Sequence, residues 1–233
     1  MAKSSPAVLR ARDLLVGYGE SADSAVCPPI SVTIPPGAAL AVVGANGSGK
    51  STFLRAVVGL LPALGGTIEL LGRAVDEREA DFRAAVATVM DEDAAFPALT
   101  VREHLLLLAR GHGVAQASEL VTTLTREFGI AERERAMPTA LSSGQRRRML
   151  LAAAFVRPRR VLVLDEPEQR LDAGMRDRLG ERLAAERRSG VTVVMATHDP
   201  VLVERVATHA LVITDEQARQ AKPRAALDLI ETL

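Results

Sequence analysis

The chain has 233 residues, 48% of them hydrophobic, and its 29 Lys and Arg balance 29 Asp and Glu. That size suits one large domain with a sizeable core, and a formal net charge of +0 argues against nucleic acid as the main partner. The lone Cys27 leaves no internal disulfide and fits a reducing compartment, Met1–Pro6 lacks an apolar signal segment, and no apolar run reaches membrane-span length.

Val8–Val16 reads as a first strand, Ser21–Pro29 as a loop and Ser31–Ile34 as a second strand. Pro35-Pro36-Gly37 turns the chain into a buried strand, Ala38–Val43. Next comes Gly44-Ala45-Asn46-Gly47-Ser48-Gly49-Lys50-Ser51, an ungapped match to the phosphate-loop pattern G-x-x-x-x-G-K-[ST], followed by a helix over Thr52–Leu60. Glycines lack Cβ and tolerate positive φ, so the backbone can wrap closely around phosphate oxygens. Backbone N–H groups and the helix N-terminus then point at the anion. Lys50 adds a positive charge for the outer phosphates, and Ser51 offers a hydroxyl to Mg²⁺.

Further strands are expected over Thr67–Leu71 and Ala85–Met90. Thr100-Val101-Arg102-Glu103 has the capping-box pattern and opens a helix over Val101–Arg110. Helices over Ser118–Phe128 and Ser142–Val156 follow. Strand and helix then alternate: Val161–Leu164, Met175–Arg187, Val191–Ala196, Pro200–Ala207 and a final strand, Ala210–Ile213. The tail Asp215–Leu233 reads as helical. This rhythm implies an α/β fold with a mainly parallel sheet covered on both faces.

Val161-Leu162-Val163-Leu164 runs into Asp165-Glu166-Pro167. The carboxyl end of a parallel strand is where such sheets bind ligands. Asp165 can hold Mg²⁺ there, and Glu166 can accept a proton from an attacking water. The alternative is a strand that merely ends in a solvated acidic turn.

Between the two sites lies Leu141-Ser142-Ser143-Gly144-Gln145, and after them Ala196-Thr197-His198-Asp199. The order and spacing of these motifs resemble those of ATP-binding-cassette (ABC) transporter ATPase subunits, over about Val8 to Ile213. The resemblance implies a P-loop NTPase core (7–90 and 158–214) with an N-terminal antiparallel β part, an inserted α-helical subdomain (91–157) and a C-terminal tail (215–233). It implies that Tyr18 stacks on adenine, unless Tyr18 is a plain turn tyrosine packed on a loop. It further implies that ATP is contacted by Gly44, Asn46, Gly47, Ser48, Gly49, Lys50, Ser51 and Thr52. Mg²⁺ would be held by Ser51 and Asp165, with Asp91 as a further candidate oxygen ligand, and Glu166, His198 and Lys50 would be catalytic. Ser142, Gly144 and Gln145 would reach the ATP of a second subunit, in a homodimer or heterodimer closing around two nucleotides.

Such subunits work with transmembrane permease subunits, so the implied location is cytoplasmic, peripheral on the inner face of the cell membrane. Alternatives are a soluble cassette ATPase outside transport and a weakly hydrolysing regulatory cassette. A P-loop small-molecule kinase would leave Leu141–Gln145 and Ala196–Asp199 unexplained. This sequence departs from the family pattern at three places. Asp91 stands where a glutamine that senses Mg²⁺ is usual, Ser143 replaces the commoner glycine, and Arg170 replaces a small residue near the expected dimer interface. Arg146-Arg147-Arg148 is expected to form a charged helical face near ATP or the partner rather than a nucleic-acid site.

Overall fold

The computed structural model describes residues 7–90 and 95–232. Asp91 therefore lies outside the described residues. The strands are β1 (Leu9–Leu15), β2 (Ile30–Ile34), β3 (Ala39–Val43), β4 (Gly65–Leu70), β5 (Arg73–Ala74), β6 (Val86–Val89), β7 (Val161–Asp165), β8 (Thr192–Ala196), β9 (His209–Ile213) and β10 (Ala218–Ala221). The helices are α1 (Lys50–Val57), α2 (Ala80–Ala85), α3 (Val101–Gly111), α4 (Ala117–Glu127), α5 (Ser143–Phe155), α6 (Ala173–Arg188), α7 (Pro200–Val206) and α8 (Pro223–Ile230).

The strands lie in the order β5-β4-β1-β2-β10-β9-β3-β8-β7-β6. From β9 to β6 every pairing is parallel, whereas β2, β1, β4 and β5 pair antiparallel. The fold is thus the mixed α/β architecture expected, with a mainly parallel core and an antiparallel N-terminal part. β3, β7 and β8 are buried along their whole length, so they read as continuous apolar runs rather than alternating ones. Successive side chains still point to opposite faces. Ala39, Ala41 and Val43 of β3 join Leu162 and Leu164 of β7 in one core layer. Leu40 and Val42 join Val161 and Val163 in the other, under α1. Burying one such Leu or Val fully is worth about 1.5–3 kcal/mol.

Between β6 and β7 the chain builds α3, α4 and α5. The capping box forms as expected: the Thr100 side chain accepts from the Glu103 N–H, and Glu103 Oε2 accepts from the Thr100 N–H at 2.8 Å. Val101, Leu105, Val121, Leu124 and the whole run Met149–Phe155 share one core with the sheet layer above.

The tail departs from expectation. Ala210–Ile213 is not in the final strand, because β10 follows it and pairs antiparallel to β9 and, at Arg219, parallel to β2. Only Pro223–Ile230 is helical. Ala-Arg-Gln-Ala carries no apolar alternation, so its pairing to neighbours alone makes it a strand. β5 and α2 were likewise not expected; neither contains a buried residue.

Candidate functional site

Strand register builds the site. Val42 of β3 lies beside Ala196 of β8, and Ala196 lies beside Asp165 of β7. Three parallel strands therefore end in a row, and their following loops share one edge of the sheet. The loop after β3 carries Gly44 to Ser51, the loop after β7 carries Glu166, and the loop after β8 carries His198.

In the first loop, a Cβ at Gly44 would come within 2.4 Å of the Ile213 carbonyl oxygen, so only glycine fits against β9. Gly49 has φ 95° and opens α1 without any side-chain cap. Its first-turn N–H groups are left for an external acceptor. Ser48 Oγ is buried and has no hydrogen-bond partner among the described residues. An uncapped helix start beside an orphaned buried hydroxyl suits bound phosphate oxygens. Asn46 and Gly47 are exposed, Thr52 is buried and Ser51 is half-buried in the first turn of α1. The Lys50 ammonium donates to the carbonyls of Gly44 at 2.8 Å and Ala45 at 3.0 Å. Burial lowers its pKa, opposed by the nearby carboxylates of Glu166, Asp165 and Glu168.

Asp165 is 2% exposed at the end of β7. Glu166 follows at φ 44°, a strained conformation for a non-glycine residue. Three bonds hold its backbone: Glu166 N–H donates to the Ala196 carbonyl at 2.9 Å, and the Glu166 carbonyl accepts from the Arg147 guanidinium at 2.7 Å and from the Gln169 N–H at 3.0 Å. On its side chain, Gln169 Nε2 donates to Oε2, and His198 Nε2 lies 3.6 Å from Oε1. Burial, then the Lys50 charge, lower the His198 pKa, while Glu166 raises it. The imidazole is accordingly neutral at pH 7, and its contact with Glu166 is polar rather than an ion pair. Asn46, Glu166, Glu168, Gln169, His198 and Asp199 line a common cleft of about 670 Å³.

The oxygen donors at this edge suit magnesium, which takes one or two protein oxygens and completes its shell with phosphate and water. Ser51 and Asp165 are the groups that would hold it.

Tyr18 sits in the turn after β1 and is 60% exposed. Gly17 bridges to Ala25 across that turn. Val26 and Cys27 then lie against Gly49, with Cys27 Sγ 3.1 Å from where a Gly49 Cβ would stand. The turn is therefore tethered to the phosphate loop by a segment that no sequence motif marks.

Ser142 and Gln145 cap α5 reciprocally. Ser142 Oγ accepts from the Gln145 N–H at 3.2 Å, and Gln145 Oε1 accepts from the Ser142 N–H at 3.0 Å. A Cβ on Gly144 would approach the Arg170 carbonyl oxygen to 2.7 Å. Arg170 itself is exposed at φ 62°. None of Ser142, Gly144 and Gln145 lines the cleft that holds Glu166 and His198.

The three arginines after this cap do not form the expected charged face. Arg147 is buried and turned inward. It donates to the carbonyls of Asp165 and Glu166, and at 3.4 Å to that of Met90. Arg148 pairs with Asp172, whose Oδ1 caps α6 through the Met175 N–H at 2.9 Å. Helix periodicity rotates neighbouring residues by about 100°, so three consecutive arginines cannot share one face. Arg147→Met keeps the length and removes the donors. The Glu166 carbonyl keeps the Gln169 N–H at 3.0 Å, so the loss falls on the carbonyls of Asp165 and Met90, at about 1–3 kcal/mol for each one left unpaired. The expected result is a thermal midpoint lower by at least about 2–4 °C; an unchanged midpoint would show that the carbonyls are otherwise satisfied.

Glu168 was not singled out from sequence. It lies in the loop after β7 and accepts two hydrogen bonds from the loop after β8, from Thr197 Oγ1 at 2.6 Å and from the His198 N–H at 3.0 Å.

The family model described as ABC transporter matches residues 27–169. Among curated proteins, the chain is 32% identical over 225 residues to the Nod factor export ATP-binding protein I of Cupriavidus metallidurans, covering 95% of this chain and 73% of the relative. It is 28% identical to the ABC-type transporter ATP-binding protein EcsA of Bacillus subtilis, covering 91% of this chain and 85% of that one. Among solved structures, an ATP-binding subunit of an ABC transporter superposes with a TM-score of 0.84 at 24% identity, over 97% of this chain and 98% of the other. CbiO1 from Clostridium perfringens, part of the cbiONQ complex, does so with a TM-score of 0.76 at 23% identity, over 97% and 92%. At those identities the structures speak for the fold.

Proposed function

The chain belongs to the ABC transporter family as an ATP-binding subunit, and from that premise we propose that it hydrolyses ATP to power a membrane-embedded partner. The observation that carries the reading is the convergence of three loops on one sheet edge: Lys50 on the first, Glu166 on the second, His198 on the third. The phosphate loop binds the β- and γ-phosphates through its backbone N–H groups, the first turn of α1 and Lys50. Ser51 and Asp165 would hold Mg²⁺, which would neutralise charge on the phosphate oxygens. Glu166 orients the attacking water and takes its proton. His198 stands beside Glu166 to hold the γ-phosphate region, and the exposed Tyr18 stacks on adenine.

Ser142, Gly144 and Gln145 face the nucleotide of a second subunit, so that two subunits enclose two ATP molecules. Their position outside the cleft of their own chain supports this, as does their place at the N-terminal end of α5, whose dipole favours an anion. Residues 7–90 and 158–214 serve as the nucleotide-binding core, 91–157 as the helical subdomain and 215–233 as a tail. No helix among the described residues is long and apolar enough to cross a membrane. Transport then needs permease subunits, on whose cytoplasmic side this chain sits. A groove lined by Leu60, Phe96, His104, Leu108 and Arg157 beside α3 offers them an apolar contact with one cation.

Phosphate release from ATP by the purified chain tests the reading. Hydrolysis is expected with millimolar Mg²⁺ and is expected to vanish when EDTA removes the ion. Turnover that persists in excess EDTA would contradict the assignment of Ser51 and Asp165.

A further inference from the structure

We propose that Glu168 is a positioning residue for His198, resting on the ATPase reading above. Its Oε1 accepts from Thr197 Oγ1 at 2.6 Å and from the His198 N–H at 3.0 Å. Thr197 Oγ1 in turn accepts from the Asp199 N–H at 3.0 Å. One carboxyl oxygen thus fixes Thr197 and His198 directly and reaches Asp199 through a hydroxyl. Asp199 begins α7, where its Oδ1 accepts from the N–H groups of Val201 and Leu202. The segment from Ala196 into α7 is therefore anchored at its middle by a side chain from the loop that carries Glu166.

The other tie between these loops is main-chain, from Glu166 N–H to the Ala196 carbonyl. It precedes His198 by two residues, and the Thr197 N–H is held by the Val42 carbonyl at 3.3 Å, so Glu168 supplies the tie at the His198 backbone itself. Adding Glu168 closes a ring: Glu166, the chain to Glu168, the hydrogen bond to His198, and the 3.6 Å approach of His198 back to Glu166. Burial raises the Glu168 pKa, and Asp199 adds to this, while the hydrogen bonds from Thr197 and His198 lower it. Placing a carboxyl group in so desolvated a spot is unfavourable in itself. Its second oxygen, Oε2, is buried without a hydrogen-bond partner among the described residues. Fixing the backbone of His198 relative to the loop that carries Glu166 requires only Oε1.

The test compares Glu168→Ala and Glu168→Gln with the unmodified full chain, by steady-state ATP hydrolysis and by amide hydrogen exchange of the peptide spanning 193–200. Alanine is expected to lower kcat about tenfold with KM for ATP within about twofold, the pattern of an interaction that matters in the transition state. It is expected to speed exchange at His198 about tenfold or more, since local opening becomes easier. Glutamine offers an amide oxygen to the same two donors and is expected to restore most of kcat and of the protection. If alanine leaves kcat or His198 exchange as in the unmodified chain, or glutamine fails to restore both, the positioning role is overturned. If the unmodified chain hydrolyses no ATP while His198 exchange responds as described, the ATPase reading fails and the Glu168 contact stands.

Discussion

Glu166→Gln is expected to slow ATP hydrolysis by about 10²–10⁴-fold while leaving nucleotide bound, because removing a general base costs that much. Glutamine has the same shape, and the backbone at φ 44° is held by Ala196, Arg147 and the Gln169 N–H rather than by the side chain. The substitution therefore removes one thing, the carboxylate charge that can take a proton from water. The polar contact with His198, 3.6 Å away, keeps an oxygen acceptor in the amide. Single-turnover phosphate release measures the effect. Turnover equal to that of the unmodified chain would mean that another group activates water, and the cleft around Glu166 would lose its catalytic meaning.

Lys50→Ala is expected to weaken ATP binding on the order of 10²-fold, since hydrogen bonds to charged groups are worth about 1.5–3 kcal/mol each. The surroundings deepen the loss. Glu166, Asp165 and Glu168 all act electrostatically on Lys50, and without the ammonium they face the phosphates as unbalanced negative charge. The carbonyls of Gly44 and Ala45 also lose a donor. Isothermal titration with ATP gives the answer; affinity within a few-fold of the unmodified chain would show that the glycine loop does not cradle phosphate.

The local parts of this site were legible in sequence because local chemistry makes them. Gly44, Gly49 and Lys50 follow a fixed spacing in a strand–loop–helix frame, and the structure places them at the end of β3 and the start of α1. Asp165 was legible as the acid closing an apolar run. Thr100 and Glu103 announced the start of α3 by their spacing alone. What could not be read depends on partners distant in the chain. Arg147 meets Asp165 across 18 residues and Met90 across 57. Glu168 meets His198 across 30. No periodicity records such pairs. β10 escaped for a related reason: an Ala-Arg-Gln-Ala segment becomes a strand only because β9 and β2 offer it free backbone groups. The position of β3 between β9 and β8, which aligns the three loops, is likewise a property of strand order and not of any one segment.

The central claim is that this site is one half of a nucleotide sandwich completed by Ser142, Gly144 and Gln145 of a second subunit. The most direct measurement is the mass of the Glu166→Gln chain by light scattering, with and without Mg²⁺ and ATP. Without nucleotide the expected mass is that of one 24.8 kDa chain. Saturating ATP should double it, ADP should not, and Ser142→Arg should abolish the doubling. A mass that stays at one chain with ATP bound would contradict the claim.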